Sequence, residues 1–531
     1  MDLILLFISI VIFVCIGFHY LSGKIGVPGL FVFIILGMLC GSDGIFKIPF
    51  DNYEFAKNIC SFALIFIMFY GGAGTKWSAA KPVAVKAIVL SGLGTFLTAG
   101  LIGVFCYFAL GFEILESFLI GAVICSTDAA SVFSILRSKK MNLKYSTASL
   151  LEVESGSNDP FSYMLTVVIL SLMNGDGMGV ASVVWLLVKQ VSIGVLCGFM
   201  FAFLTRFTVK HFDIKATGFG SAFTVAVAII SYAFPALIGG NGYLSVYITG
   251  IIVGNIYIPN KKNVIQFFDG ITGIMQMLLF FLLGLLAFPS QLPAVFGKAL
   301  LIALFLTFIA RPIAVFATLL PFKCKIRQLI FVSWSGMRGV ASIVFSIMAV
   351  TNPASLDNDI FHIVFFIVLF SIFVQGTLLP TVARKLNMID TSGDVMKTFT
   401  DYSDEVPIQY IQFTLNKGHK WENKELSEIV LPPESILVLI IRNGDKVIPK
   451  GNTKLLAGDT IVISGRAVTK VKGVNLVEKE LDEGSEWVNK KISDIPKNNN
   501  LIVMVMREGN VLIPRGNTML KAGDILVVSK I

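Results

Sequence analysis

The chain has 531 residues, 55% hydrophobic and 15% charged, with a formal net charge of +9 and a mean hydropathy of +0.80. This balance excludes an ordinary soluble enzyme and fits a polytopic membrane protein. The positive charge calls for no nucleic-acid partner, because basic loops on one side of a membrane account for it.

Apolar runs predict thirteen membrane spans, near 3–21, 25–41, 55–72, 83–109, 115–137, 148–173, 180–205, 217–237, 243–258, 264–288, 297–320, 326–349 and 360–383. No cleavable leader is expected, since Met1–Asp2 lacks a basic stretch and the first run is long enough to span. Alternate connections differ in charge. One set carries Lys24, then Lys76, Lys81 and Lys86, Arg137 to Lys144, Arg206 to Lys215, Lys261 and Lys262, Lys323 to Arg327, and Arg384 with Lys385. The other holds Lys47, Lys57 and Lys298 beside Asp43, Asp51, Glu113, Glu116, Asp176, Asp357 and Asp359. The positive-inside rule then puts the N-terminus outside and the tail in the cytoplasm, in an inner (plasma) membrane. The seven cysteines lie almost wholly in apolar runs and read as reduced, packed thiols, with no metal-binding spacing.

Two spans look broken. Ser126-Thr127-Asp128-Ala129-Ala130-Ser131 interrupts the fifth, and Ser333-Trp334-Ser335-Gly336-Met337-Arg338-Gly339 the twelfth. If spans 1–6 and 8–13 form inverted repeats, the two breaks occupy equivalent places, which is a pointer to a transport site. Half-helix ends there would aim carbonyls and dipoles inward. Close packing is reading enough for Gly37/Gly41, Gly194/Gly198 and Gly250/Gly254. It does not account for Asp128.

The sixth span is the most informative. Glu154, Ser155, Asn158 and Asp159 share roughly one helical face, and Pro160 leaves the Gly156 carbonyl without its helical donor. Ionisable groups at this depth cost several kcal/mol and mark ion paths or partners. A structural ion pair is expected of Glu154, with either Arg311 or Arg338, leaving Asp159 free to exchange ligands. One carboxylate balances one charge, so a proton and a desolvated alkali cation exclude each other there. Ser155 hydroxyl, Thr127 carbonyl and Asp128 carboxylate would complete an oxygen shell for a hard cation. Glu152 and Lys189 stand near span ends and receive no role. No cofactor, resident metal or catalytic residue is expected, because no G-x-S-x-G, H-E-x-x-H or Walker loop is present. A ligand-regulated cation channel is the alternative, weakened by the lack of a carbonyl-lined filter motif.

With Ser126-Thr127-Asp128, the stretch Glu154 to Pro160, Ala310-Arg311-Pro312 and Gly336-Met337-Arg338-Gly339, residues 1–390 resemble the monovalent cation:proton antiporter family, in its sodium/hydrogen exchanger-like branch. The resemblance implies a thirteen-helix homodimer in the lipid bilayer. It also implies a mobile core of spans 4–6 and 11–13, with elevator-type exchange at Asp159. An Asn before that Asp accompanies electroneutral exchange in the family, so Asn158 would steady the site without titrating. Moving net charge costs about 2.3 kcal/mol per 100 mV, which gives that distinction its weight. Many relatives carry an acid where this chain has Tyr70, so an accessory acidic ligand is expected to be absent.

A polar linker is expected over 391–403, followed by two similar stretches over 404–466 and 475–531. Trp421, Arg442 and Asp459 recur as Trp487, Arg507 and Asp524, an offset of about 65 residues that marks a tandem repeat. Short β-branched runs between Gly, Asn and Pro turns predict small α+β modules. Both resemble the RCK_C (TrkA-C) regulatory domain of potassium-handling proteins, which implies K+ ahead of Na+. The same resemblance allows a small-molecule effector such as cyclic di-AMP, with a docking role as the alternative.

Overall fold

The computed structural model describes residues 2–25, 29–139, 141–175, 179–211, 219–256, 261–354, 356–390, 408–432, 435–442, 445–466, 475–481, 485–495, 500–507, 510–512 and 514–530. The linker expected at 391–403 lies outside these residues, as do Lys140, Asp176 and Lys215 among the loop charges. The chain divides into two units, 1–401 and 402–531.

The first unit is helical. Among the described residues eight helical stretches are long and apolar enough to cross a membrane, and four shorter apolar helices accompany them. Three helix starts carry side-chain caps. Asn52 accepts from the Phe55 amide, Asn241 from Leu244 and Asp359 from His362. The Asn241 side chain has a second task, since its Nδ2 donates to the Pro160 carbonyl at 2.8 Å.

Packing separates two groups of helices. Gly29–Cys40, Tyr53–Gly74, Val180–His211, Phe219–Leu237, Gly242–Asn255 and Lys261–Leu286 pack chiefly on one another. Ala84–Leu110, Ile114–Ile124, Thr147–Met173, Pro289–Phe322, Val340–Val350 and Ile360–Lys385 form the second group. Small residues seat the first group tightly. An added Cβ at Gly250 or Gly254 would fall 2.5 or 2.3 Å from the backbone of the Tyr53–Gly74 helix.

Three helices of the second group contain π-turns, at Leu90–Gly94, Leu306–Ala310 and Ser371–Gln375. Each inserts an i→i+5 bond and rotates the residues that follow. Two helices are broken. Ile114–Ile124 resumes as Ala129–Ser138, and Ile326–Trp334 resumes as Val340–Val350.

The second unit consists of two sheets of one topology. Strands β1 Ile408–Thr414, β2 Ser435–Arg442, β3 Asp445–Val447 and β4 Thr460–Arg466 order as β1-β4-β2-β3. Strands β5 Asn475–Glu480, β6 Asn500–Arg507, β7 Asn510–Leu512 and β8 Ile525–Lys530 order as β5-β8-β6-β7. Both copies even share a register shift, at Leu437/Leu439 and Ile502/Met504. The strands of the expected α+β modules are present. Among the described residues each module adds only a 3-10 turn, Leu426–Glu428 or Ile492–Asp494, because its segments are too short and β-branched to sustain an α-helix.

Candidate ion site at the crossed helix breaks

The Ile114–Ile124 half-helix has 11 residues. At 1.5 Å per residue it covers about 16 Å, half of a roughly 30 Å hydrocarbon layer. Its last carbonyls lack helical donors and carry the negative end of the dipole. Arg338 meets both needs. Its Nη1 donates to the carbonyls of Cys125 at 2.8 Å and Ser126 at 2.6 Å, and the side chain is 1% exposed. Arg338 belongs to the other break, and the two breaks touch directly where the Asp128 amide donates to the Met337 carbonyl at 2.8 Å. Gly339 permits this approach, for a Cβ there would lie 2.4 Å from the Asp128 side chain.

Asp128 acts as a cap on the resumed helix. Its Oδ1 accepts from the Ser131 amide at 3.2 Å and its Oδ2 from the Ser131 hydroxyl at 2.5 Å. The Thr147–Met173 helix then locks onto the break. Ser155 Oγ donates to the Thr127 carbonyl at 2.7 Å and accepts from the Ala129 amide at 2.9 Å. Asn158 Oδ1 accepts from the Thr127 amide at 3.2 Å. Its Nδ2 donates to Thr127 Oγ1 at 2.6 Å and to Glu154 Oε1 at 2.9 Å.

Glu154 Oε1 also receives Arg311 Nη2 at 3.0 Å, with both side chains 1% exposed. The structural pair is therefore Glu154–Arg311, and Arg338 is not part of it. Two physical reasons separate the arginines. Arg311 follows the Leu306–Ala310 π-turn, which rotates it, while Arg338 is drawn to the half-helix carbonyls. Gly336 leaves room beside the pair, since a Cβ there would sit 2.6 Å from Arg311 Nε.

Asp159 stands apart from this network. Its Oδ1 is buried without a hydrogen-bond partner. It lines a cavity of about 380 Å3 together with Thr127, Asp128 and Ser155. The structure thus brings Thr127, Asp128, Ser155 and Asp159 to one cavity, with Asn158, Glu154 and Arg311 behind it. Thr127's carbonyl already accepts from Ser155, which leaves one lone pair.

Sequence reading missed two acids in the same cavity. Glu152 was assigned to a span end, yet it is buried and lines the wall. Asp269 is the second, and an acid inside the apolar run 264–288 is a sequence signal for it. It faces the cavity and accepts from the Tyr70 hydroxyl at 2.6 Å. An acid is thus present beside Tyr70 after all, on a different helix.

The profile of the transmembrane sodium/hydrogen exchanger family matches residues 8–385, and that of the TrkA-C domain matches 410–468 and 476–529. The chain is similar to the K(+)/H(+) antiporter NhaP of Alkalimonas amylolytica, at 34% identity over 470 residues, covering 87% of this chain and 81% of the relative. It is also similar to the K(+)/H(+) antiporter NhaP2 of Shewanella oneidensis, at 31% identity over 474 residues, covering 88% and 82%. Among solved structures, the sodium proton antiporter MjNhaP1 from Methanocaldococcus jannaschii shares the fold, with a TM-score of 0.63 and 22% identity over 73% of this chain and 99% of that one. The family profile spans most of the chain and the crossed breaks fall inside it, so this protein belongs to the sodium/hydrogen exchanger family, with two TrkA-C domains following in sequence.

Proposed function

We propose that this protein is a secondary antiporter that exchanges a monovalent cation, K+ in preference to Na+, for H+ at Asp159. The observation that carries the reading is the buried Asp159 oxygen with no protein partner on a cavity wall. Such an oxygen needs a proton or a cation, and a single carboxylate takes one charge at a time. Thr127, Ser155 and Asp128 contribute further oxygens to either occupant.

Exchange is electroneutral in this reading, because Asn158 adds no titrating charge. The cavity is walled on one side by the broken helices and on the other by Tyr53–Gly74 and Lys261–Leu286. That division supports elevator-type movement of one helix group against the other. Counting each broken pair as one crossing supports thirteen spans. The π-turns at Leu90–Gly94 and Leu306–Ala310 fall in spans four and eleven, equivalents under an inverted repeat. The charge alternation supports an N-terminus outside the plasma membrane and a cytoplasmic tail, and family membership supports a homodimer.

Preference for K+ rests on relatives named as K(+)/H(+) antiporters across most of this chain and on the TrkA-C pair. The tail would tune exchange by binding a small effector, with cyclic di-AMP as one probe for calorimetry.

Everted vesicles with the membrane potential clamped provide the test. Adding K+ or Na+ should relieve an imposed proton gradient, and Asp159→Asn should abolish the response. Undiminished exchange in that variant would remove Asp159 from the mechanism.

A further inference from the structure

The wall of the cavity that faces Asp159's helix carries chemistry of its own. Asp269, Thr272 and Gln276 follow i, i+3, i+7 spacing on the Lys261–Leu286 helix, share one of its faces and all line the cavity. Asp269 Oδ1 accepts from Tyr70 at 2.6 Å, and no Lys or Arg pairs with this carboxylate among the described residues. Thr272 is 4% exposed, and its hydroxyl has no hydrogen-bond partner. A buried hydroxyl left unpaired costs about 1–3 kcal/mol, so a small rotation of this side chain toward the cavity it lines would gain a partner there. Between these residues Gly273 adds no bulk, and a Cβ there would meet nothing within 4 Å.

Carboxylate, hydroxyl and amide oxygens on one face make a hard-donor set suited to an alkali cation, directly or through its hydration water. The set belongs to the helix group that does not carry Asp159. A cation held here is therefore not bound by the exchanging carboxylate. Two walls bearing acids on one cavity also raise the local cation concentration.

We propose that Asp269, with Thr272 and Gln276, forms a second monovalent-cation station on the wall opposite Asp159, loading cation into the cavity before it reaches the exchange carboxylate. Tyr70 sets the strength of the station by occupying one oxygen of Asp269. The inference rests on the reading of Asp159 as the exchange site. Because the station only supplies cation, it governs the half-saturating concentration and leaves the maximal rate alone.

The test is a K+ titration of proton-gradient relief in everted vesicles holding the full chain. Asp269→Asn should raise the half-saturating K+ roughly threefold or more, at a maximal rate within about twofold of the parent. Asp269→Glu should restore it. Tyr70→Phe, which frees the second oxygen, should lower it. If Asp269→Asn does not reach the membrane, Thr272→Val and Tyr70→Phe carry the test, with shifts in opposite directions. Unchanged half-saturation in these variants, beside a silent Asp159→Asn, overturns the station and leaves the exchange site standing. Loss of maximal rate in a folded Asp269→Asn protein overturns it too. A parent protein that moves no protons on cation addition would instead defeat the reading of Asp159 beneath it.

Discussion

Arg311 lies 3.0 Å from Glu154 in a pair that water does not reach. The same Glu154 oxygen accepts from Asn158 and from Thr127. The charge of Arg311 is thus passed, through one carboxylate, to both the sixth span and the first helix break. Asp159, the neighbouring acid, makes no ion pair with Arg311 and lines the cavity. The buried pair thus ties three elements of the site together, while Asp159 Oδ1 has no protein partner.

Removing one member of such a pair strands the other as an uncompensated charge, at a cost of about 3–5 kcal/mol. Arg311→Met should therefore lower the thermal stability of the detergent-solubilised protein sharply. Adding Glu154→Gln in the same chain should recover much of the loss, because no charge is then stranded. Fluorescence-detected size exclusion after a heat step reads both. A double variant no better than Arg311→Met would show that packing, rather than charge, dominates the pair.

Asn158→Asp is the natural route to a charge-moving site, but the geometry argues for a different outcome. The Asn158 amide donates to Thr127 Oγ1 and Glu154 Oε1. An aspartate loses both donations and sets an anion against Glu154 at hydrogen-bond distance. Hydrogen bonds to charged groups contribute roughly 1.5–3 kcal/mol, and like-charge repulsion adds to the loss. The variant should be destabilised and slow at neutral pH, with no gain in voltage dependence. Transport currents across a planar membrane would contradict this if they appeared at full protein stability.

Gly339→Ala should stop transport by displacing Asp128 at the crossed breaks, with every titrating residue left in the sequence. The added methyl would sit 2.4 Å from the Asp128 side chain, and both partners belong to helix breaks that cannot slide independently. Overpacking of this kind costs about 1–3 kcal/mol and shifts backbone. The measurement is the same vesicle assay, with Gly220→Ala as a control whose nearest neighbour is 3.9 Å away.

How far the sequence revealed this site depends on the residue. The breaks at 125–128 and 335–339 were legible because Thr127-Asp128 and the Ser335 to Gly339 stretch are polar or glycine-rich inside apolar runs. The faces shared by Glu154, Ser155, Asn158 and Asp159 followed from helical spacing alone. The partner of Glu154 did not. Arg311 and Arg338 carry the same charge at similar depth, and the π-turn that turns Arg311 inward leaves no mark in composition. Glu152 was misread because a snorkelling acid and a cavity acid look alike until the tertiary fold is known. Asp269 was legible as an acid inside an apolar run, and only its Tyr70 partner, close in space and distant in sequence, needed the fold. In the tail, the repeat was plain from Trp421/Trp487 and Arg442/Arg507. The absence of α-helix among its described residues was less so, since short apolar runs suit either element.

The tail predicts its own pH response. Asp459 accepts from Arg442 Nε and Nη2, both at 2.8 Å, and from the Leu456 amide at 2.8 Å. Asp524 repeats the arrangement with Arg507, at 2.7 and 2.7 Å, and with the Lys521 amide at 2.8 Å. The arginine hydrogen bonds hold both carboxyls below the usual carboxylate range. A folded value lower than the unfolded one means stability that is complete above about pH 4 and lost as pH falls through the folded value. Acidification should therefore loosen both modules, not alkalinisation. Hydrogen exchange on the full chain separates them. Asp459→Asn should speed exchange in Thr460–Arg466 about tenfold at pH 7 and remove most of that strand's acid response. Ile525–Lys530, anchored by Asp524, should keep its own. Equal loosening of both strands by the one substitution would mean that the modules unfold together, and a tail built from two independent copies would have to be abandoned.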